Sequence, residues 1–451
     1  MRLAVINIVG LSSSLLGEHM PGVTRFAERN GLQSYKPAFP AVTCTAQSSI
    51  VTGTSPGEHG VVANGWYDRE AAEVKFWKQS NHIVHGEKLW DKLRREIPGF
   101  TCAKLFWWYN MYSSADFSIT PRPLYPADGR KIFDIHTQPM DMREKLKSDL
   151  GPFPFPAFWG PAAGIASSEW IAASAKWVEE KHSPTLSLVY LPHLDYPLQK
   201  DGPGAATIPI ELAKIDNVAT DLIDYYESRN VRVLVLSEYG ISAVDQPIHL
   251  NRLFRERGWI QVKDELGRET LDCGASRAFA VADHQVAHIY INDPSIKEEV
   301  RELLLATPGI DEVRVPDGTW KPGPGLERAG DLIAVSKENA WFTYYFWNDD
   351  AVAPDYARTI DIHRKPGYDP CELFIDPAIG FPKLKIAWFL LKKKLGLRGL
   401  LDVIPLDANL VKGSHGRDNV SNGEQPVLIG SSYPVATGED VHKAILSAAI
   451  S

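Results

Sequence analysis

Four short apolar runs, residues 3–8, Leu186–Leu191, Val231–Leu236 and Val286–Ile291, constrain the architecture most. Each is six residues dominated by Val, Ile, Leu and Ala, too short for a core helix, so each predicts a strand buried on both faces. Such a sheet needs helices over it, and helical patterns lie between the runs. Pro21–Asn30 opens on a proline and is followed by Gly31, the start and stop chemistry of a helix, while residues 209–228 form a longer amphipathic pattern. Strand–helix alternation predicts an α/β fold with a mainly parallel central sheet, helices on both faces, and the functional site at the carboxyl edge of the strands.

A chain of 451 residues with 44% hydrophobic composition can bury a large core. We expect one domain over residues 1–451. Two stretches break the alternation. Residues 66–161 turn aromatic and proline-rich (FWWYNMYSS at 106–114, PFPFPAFWGP at 152–161), and residues 341–410 are irregular and include DIHRKPGYDP at 361–370. Both predict inserted cap or substrate-wall segments. The net charge of −8 is spread without long acidic or basic blocks, which argues against nucleic acid as a partner. Four isolated cysteines, at 44, 102, 273 and 371, form no CxxC pair and predict a reducing compartment. The first strand pattern begins after a single basic residue, and no apolar run reaches eighteen residues, so neither a signal peptide nor a membrane span is expected and the predicted location is cytoplasmic.

The chemistry-bearing stretch is residues 39–69, FPAVTCTAQSSIVTGTSPGEHGVVANGWYDR. Phe39-Pro40, then Thr43, then Ile50-Val51-Thr52-Gly53, then Pro56 to Gly60, then Asn64, resembles in order the nucleophile segment of the type I phosphodiesterase/nucleotide pyrophosphatase branch of the alkaline phosphatase superfamily. The resemblance implies an alkaline-phosphatase-like three-layer sandwich. It also implies Thr43 as nucleophile at a helix N-terminus, with Asn64 and amides after Thr43 binding phosphoryl oxygens. A lone Thr before a helix is otherwise most often an N-cap. Cys44 does not match the Cys-x-Pro/Ala-x-Arg of sulfatases in the same superfamily, because Thr45, Ala46, Gln47 and Ser48 follow it.

The resemblance further implies two divalent ions, usually zinc, held by six Asp/His ligands. Asp195, in HLDYPLQKDGP, and His415, in Gly413-Ser414-His415-Gly416, match two of them. The others depart from the pattern. Val9 occupies the first Asp position with Asn7 two residues earlier, Gln199 replaces a His, and Glu238-Tyr239 replaces Asp-His. The resulting set, Thr43, Asp195, Gln199, Glu238, His415 and Asn7, is oxygen-rich and suits one or two ions of Mn or Mg over Zn, or none. Asp283-His284 before a strand and Asp361/His363 on a loop are further ligand candidates, whereas His288 inside an apolar strand reads as a core residue.

Arg122, Arg130, Lys131 and Trp107, with Phe106, Trp108 and Tyr109, are candidates to bind a phosphate-linked group with a flat or apolar part; at least one of the adjacent tryptophans should instead pack the core. Residues 381–402 carry six Lys/Arg against one Asp among Trp and Leu. They read either as a basic helix on an anionic membrane or, more commonly for such a pattern, as a core-facing helix with a solvated Lys row. Together these features predict a metal-dependent hydrolase of a small-molecule phosphate mono- or diester acting through a Thr43 phosphoenzyme. The alternatives are a metal-poor pseudoenzyme that binds a phosphorylated ligand, or a phosphoryl transferase or mutase on the same fold. Thr43, Asp195, Glu238 and His415 are expected to converge.

Overall fold

The computed structural model describes residues 2–450. Its central sheet has eight strands in the spatial order Leu32–Ser34, Val427–Ile429, Val231–Leu236, Arg2–Ile8, Leu186–Leu191, Cys102–Leu105, Phe117–Pro121, Ile135–Gln138. The strands from Val231–Leu236 to Phe117–Pro121 run parallel, and antiparallel strands close both edges. Three of the four apolar runs are therefore neighbours at the sheet's centre. In their register Asn7 lies opposite Tyr190 on one side and Leu236 on the other.

Two helical layers cover the sheet. Ile165–His182 and Pro21–Asn30 pack on Ile208–Glu227, and Thr43–Thr52 packs with Leu89–Glu96 against Gly438–Ile450. Side chains from both layers and the strands form one main core, from Leu3 through Trp177 and Tyr226 to Ile445.

Val286–Ile291, the fourth run, belongs instead to a separate antiparallel sheet with Ala278–Asp283, Leu332–Ser336 and Ile310–Arg314. Only His284 and Gln285 join it to Ala278–Asp283, and so short a turn allows only an antiparallel return. His284 takes the positive φ of 61° that the turn requires.

The 66–161 stretch is not all wall. It supplies three central-sheet strands, Cys102–Leu105, Phe117–Pro121 and Ile135–Gln138, and the helix Leu89–Glu96. Lys104 hid the first of these strands: its amine is buried but donates to the carbonyls of Trp108 and Tyr109, and burial lowers its pKa to about 7, so a lysine can occupy a core position. The 341–410 stretch builds an aromatic satellite core from Trp341, Tyr344, Tyr345, Phe346 and Trp347 against Val403 and Ile404. From it projects the helix Pro382–Lys394, none of whose residues is buried. It is therefore not the core-facing helix that its pattern more commonly signals. The four cysteines are free and buried. Among the described residues no helix is long and apolar enough to cross a membrane.

Candidate active site

Parallel strands end where loops can gather polar groups, and this sheet uses that edge. Asn7 is the next-to-last residue of the strand Arg2–Ile8, Glu238 lies two residues beyond Val231–Leu236, and Asp195 starts the short helix that follows Leu186–Leu191. Thr43 opens the helix Thr43–Thr52 after an extended Val42. His415 enters on a segment whose glycines are sterically required: a Cβ on Gly413 would stand 2.0 Å from the Leu198 carbonyl oxygen, and Gly416 has φ +127°.

The Thr43 hydroxyl lies 2.9 Å from the Tyr239 hydroxyl, which donates to Asp195 Oδ1 at 3.3 Å. Gln199 Nε2 donates to Asp195 Oδ2 at 2.7 Å, and Tyr368 donates to Gln199 Oε1 at 3.0 Å. The result is a chain of hydrogen bonds from Thr43 to Tyr368. The His415 Nδ1–H donates to the Ala41 carbonyl at 2.7 Å, leaving Nε2 bare 3.8 Å from Asp195 Oδ1. Four rings line up through the site: Tyr239 stacks on His415 at 3.7 Å, His415 meets His284 at 3.6 Å with the rings tilted by 35°, and His284 stacks on Tyr368 at 3.7 Å. On the other side of Thr43, Asn7 and Gln47 both donate to Glu238 Oε1, while Gln47 Oε1 accepts from the Trp108 amide. Asn64 donates from Nδ2 and from its backbone to the two oxygens of Asp283, and its Oδ1 accepts the Cys44 amide. The amide after Thr43 is therefore spent on Asn64 rather than free to hold phosphoryl oxygens.

Burial dominates the electrostatics. It pushes the carboxyls of Asp195 and Asp283 up to about 7 and that of Glu238 up to about 8, although amide and hydroxyl donors partly oppose the shift. The same burial lowers His415 to about 3, so its imidazole is neutral. The folded chain thus holds carboxyl protons that the unfolded chain releases near pH 4. Stability from this source is full below the ordinary carboxyl range and is lost as pH rises toward 8. The denaturant midpoint is expected to fall between about pH 5 and pH 8. Glu238→Gln, which keeps the shape and removes the titration, should flatten that fall, and a variant as steep as the parent would remove Glu238 from this account.

The donor set does not fit the two-ion centre expected from the sequence. Val9 is apolar and Gln199 turns an N–H toward Asp195. Both oxygens of Asp283 are engaged by Asn64, and Tyr239 fills the space between Thr43 and Asp195 with a hydroxyl. Among the described residues no three His, Cys, Asp or Glu side chains converge to hold an ion. Asn7 Oδ1, Glu238 Oε2, His284 Nδ1 and His415 Nε2 are left as buried atoms without partners. His288 is a core residue, bonded to the Val62 carbonyl and the Gly330 amide. His363 lines the cavity beside the site, and the Asp361 amide donates to Glu372.

Thr43, Asn64, Asp195, Tyr239 and His284 form the inner end of a cavity of about 620 Å³. Of the substrate-binding candidates, Lys131 lines it. Arg122 and Arg130 are exposed elsewhere, Arg130 paired with Asp128, and Trp107 is buried in the main core while Trp108 faces the cavity. Gln47 was overlooked in the sequence, although its place four residues after Thr43 puts both on one helix face. Tyr239 reads from the sequence as a poor ligand, and only the fold reveals it as a hydrogen-bond bridge.

The profile of the type I phosphodiesterase/nucleotide pyrophosphatase family matches residues 3–369. The chain is 27% identical over 243 residues to an uncharacterized pyrophosphatase/phosphodiesterase of Schizosaccharomyces pombe, a match that covers 52% of the chain and 42% of that relative's length. Its fold is shared with murine ectonucleotide pyrophosphatase/phosphodiesterase 5 (TM-score 0.58, 14% identity, covering 100% of this chain and 95% of the other). It is also shared with the phosphonoacetate hydrolase of Sinorhizobium meliloti (TM-score 0.61, 15% identity, 99% and 95%). The murine protein, as an inactive variant, has been solved in complex with AMP, and the bacterial one with phosphonoacetate. Enzymes of the family typically use divalent metal ions, so this chain's donor set sets it apart at that point. With a match that spans most of its length and an alkaline-phosphatase-like fold, the chain belongs to the type I phosphodiesterase/nucleotide pyrophosphatase family.

Proposed function

We propose that the protein is a hydrolase of small phosphate mono- or diesters in which Thr43 is the phosphoryl acceptor and Asp195, acting through Tyr239, takes its proton. The observation that carries this reading is the 2.9 Å and 3.3 Å hydrogen-bond chain from Thr43 through Tyr239 to Asp195 at the inner end of the cavity. A threonine hydroxyl is a weak nucleophile and needs a base within reach. Asp195, raised to about 7, is poised between its two forms at neutral pH. As the Thr43 Oγ–P bond forms and the ester P–O bond breaks, the proton moves from Thr43 to Tyr239 and from Tyr239 to Asp195, and the leaving group departs as an alkoxide that takes a proton from water. Water then displaces Thr43 from phosphorus. Overall one water is consumed, the alcohol carries away one of its protons, and Thr43 recovers its own. Asn64, fixed by Asp283, presents its remaining Nδ2 hydrogen to the phosphoryl group.

The proposal is tested by acid-quenching the protein during turnover of a p-nitrophenyl phosphodiester or monoester and mapping the phosphorylated peptide. Phosphate on Thr43 supports the reading. Turnover with no phosphate on this residue discards the acceptor role, and tight binding of phosphate esters with no turnover identifies a binding protein on the same fold. Tyr239→Phe, which cuts the chain but keeps the ring stack, should lower kcat by about tenfold to a hundredfold and leave KM nearly unchanged.

A further inference from the structure

The cavity that ends at Thr43 is built for a hydrocarbon. Trp108, Phe158, Trp159, Ile360, Phe389 and Leu401 form its walls, and its lysines, Lys131 and Lys393, gather around Phe133 at 5.9 and 5.6 Å from the ring. A nucleoside would bring a base and a ribose whose donors and acceptors need partners; this wall offers few, and each group left unpaired costs affinity. An alkyl or prenyl chain needs none. The volume of about 620 Å³ lies within the range of about 300–1,000 Å³ for pockets that enclose a whole organic ligand.

One wall is the helix Pro382–Lys394, through Ile386, Phe389, Leu390 and Lys393. Its other apolar residues have nothing to cover them: Leu384 is 67% exposed, Trp388 58% and Leu391 45%, and beyond the helix Leu395 and Leu397 are open as well. Lys383, Lys385, Lys392, Lys394 and Arg398 are interleaved with them. A helix with no buried residue, apolar side chains in the open and an excess of positive charge matches an anionic bilayer surface. The same helix lines the cavity and faces solvent.

We propose that the substrate is the phosphate ester of a long-chain alkyl or prenyl alcohol, taken from an anionic bilayer beneath Pro382–Lys394, with its phosphate at Thr43 and its chain along the cavity. This rests on the reading of Thr43 as the phosphoryl acceptor. It is tested first by binding, on Thr43→Ala protein, of butyl, octyl and dodecyl phosphate and of AMP, measured by calorimetry below their micelle concentrations. Affinity should rise on the order of threefold per added methylene until the cavity is filled, and dodecyl phosphate should bind at least about tenfold more tightly than AMP. Phe389→Asp, on a helix with nothing buried to disrupt, should reduce that dependence on chain length. A flat series, or AMP binding more tightly than dodecyl phosphate, overturns the proposal even where Thr43 turns over p-nitrophenyl esters. A steep series upholds the cavity as the chain's site, and no release of phosphate from dodecyl phosphate by the unmodified protein overturns its being a substrate. In parallel the unmodified protein should sediment with vesicles containing phosphatidylserine, and the Trp388→Asp/Leu391→Asp variant should not; failure of the unmodified protein to sediment with them overturns the bilayer as the source.

Discussion

Thr43→Ala is expected to lower kcat/KM for an activated phosphate ester on the order of 10³-fold or more while leaving the fold intact. The alanine removes the hydroxyl proposed to attack phosphorus; among the other hydroxyls of its helix, those of Ser48 and Thr52 are turned back onto carbonyls. The structural loss is small by comparison, the hydrogen bond to Tyr239 being worth about 1 kcal/mol. The two effects separate cleanly when steady-state kinetics and a melting curve are run on the same preparation. Activity at the parental level in Thr43→Ala would end the nucleophile assignment, whereas a collapsed melting curve would point to a structural role for the hydroxyl.

Lys365→Met should be the most damaging single change to stability, costing about 3–5 kcal/mol. Lys365 is 1% exposed and its ammonium donates at 2.7 Å both to Asp369 and to Glu372, which are themselves buried. Burial alone would push its pKa down, but the two carboxylates more than offset this and the net shift is upward. Methionine matches the length of the stem and removes the charge, leaving two buried carboxylates without a cation. The loss would be a large part of the ~5–15 kcal/mol that holds a domain folded. It should also reach the cavity, because Glu372 accepts the Trp159 indole N–H and Trp159 is part of the apolar wall. Chemical denaturation measures the cost. A change within about 0.5 kcal/mol, the usual scale for a surface substitution, would show that the cluster is solvated.

The central sheet was legible because its cause is local. Residues 3–8, Leu186–Leu191 and Val231–Leu236 must avoid water on both faces, and the sequence shows this directly. Thr43, Asp195, Glu238 and His415 could be expected together because the family resemblance puts their segments at one edge of the sheet, and Asp195 and His415 do approach to 3.8 Å. The strand Cys102–Leu105 was hidden by Lys104, whose buried amine is tolerable because the carbonyls of Trp108 and Tyr109 accept from it. Trp107 and Trp108 are indistinguishable in the sequence; the backbone direction after Cys102–Leu105 sends one into the core and the other into the cavity.

By itself, then, the sequence determined the doubly covered parallel sheet and the family. Burial patterns and an ordered motif are properties of neighbouring residues, and they survive without knowledge of distant contacts. What the ligand-derived positions do was decided only by the tertiary structure. Gln199 and Tyr239 read as defects in a metal site, yet in space they complete a hydrogen-bond chain with Tyr368, which lies 169 positions from Gln199. Asp283, a candidate ligand in the sequence, orients Asn64 from 219 positions away. The role of a polar side chain depends on which donors and acceptors it meets once water is excluded, and those partners come from segments that only the fold brings together.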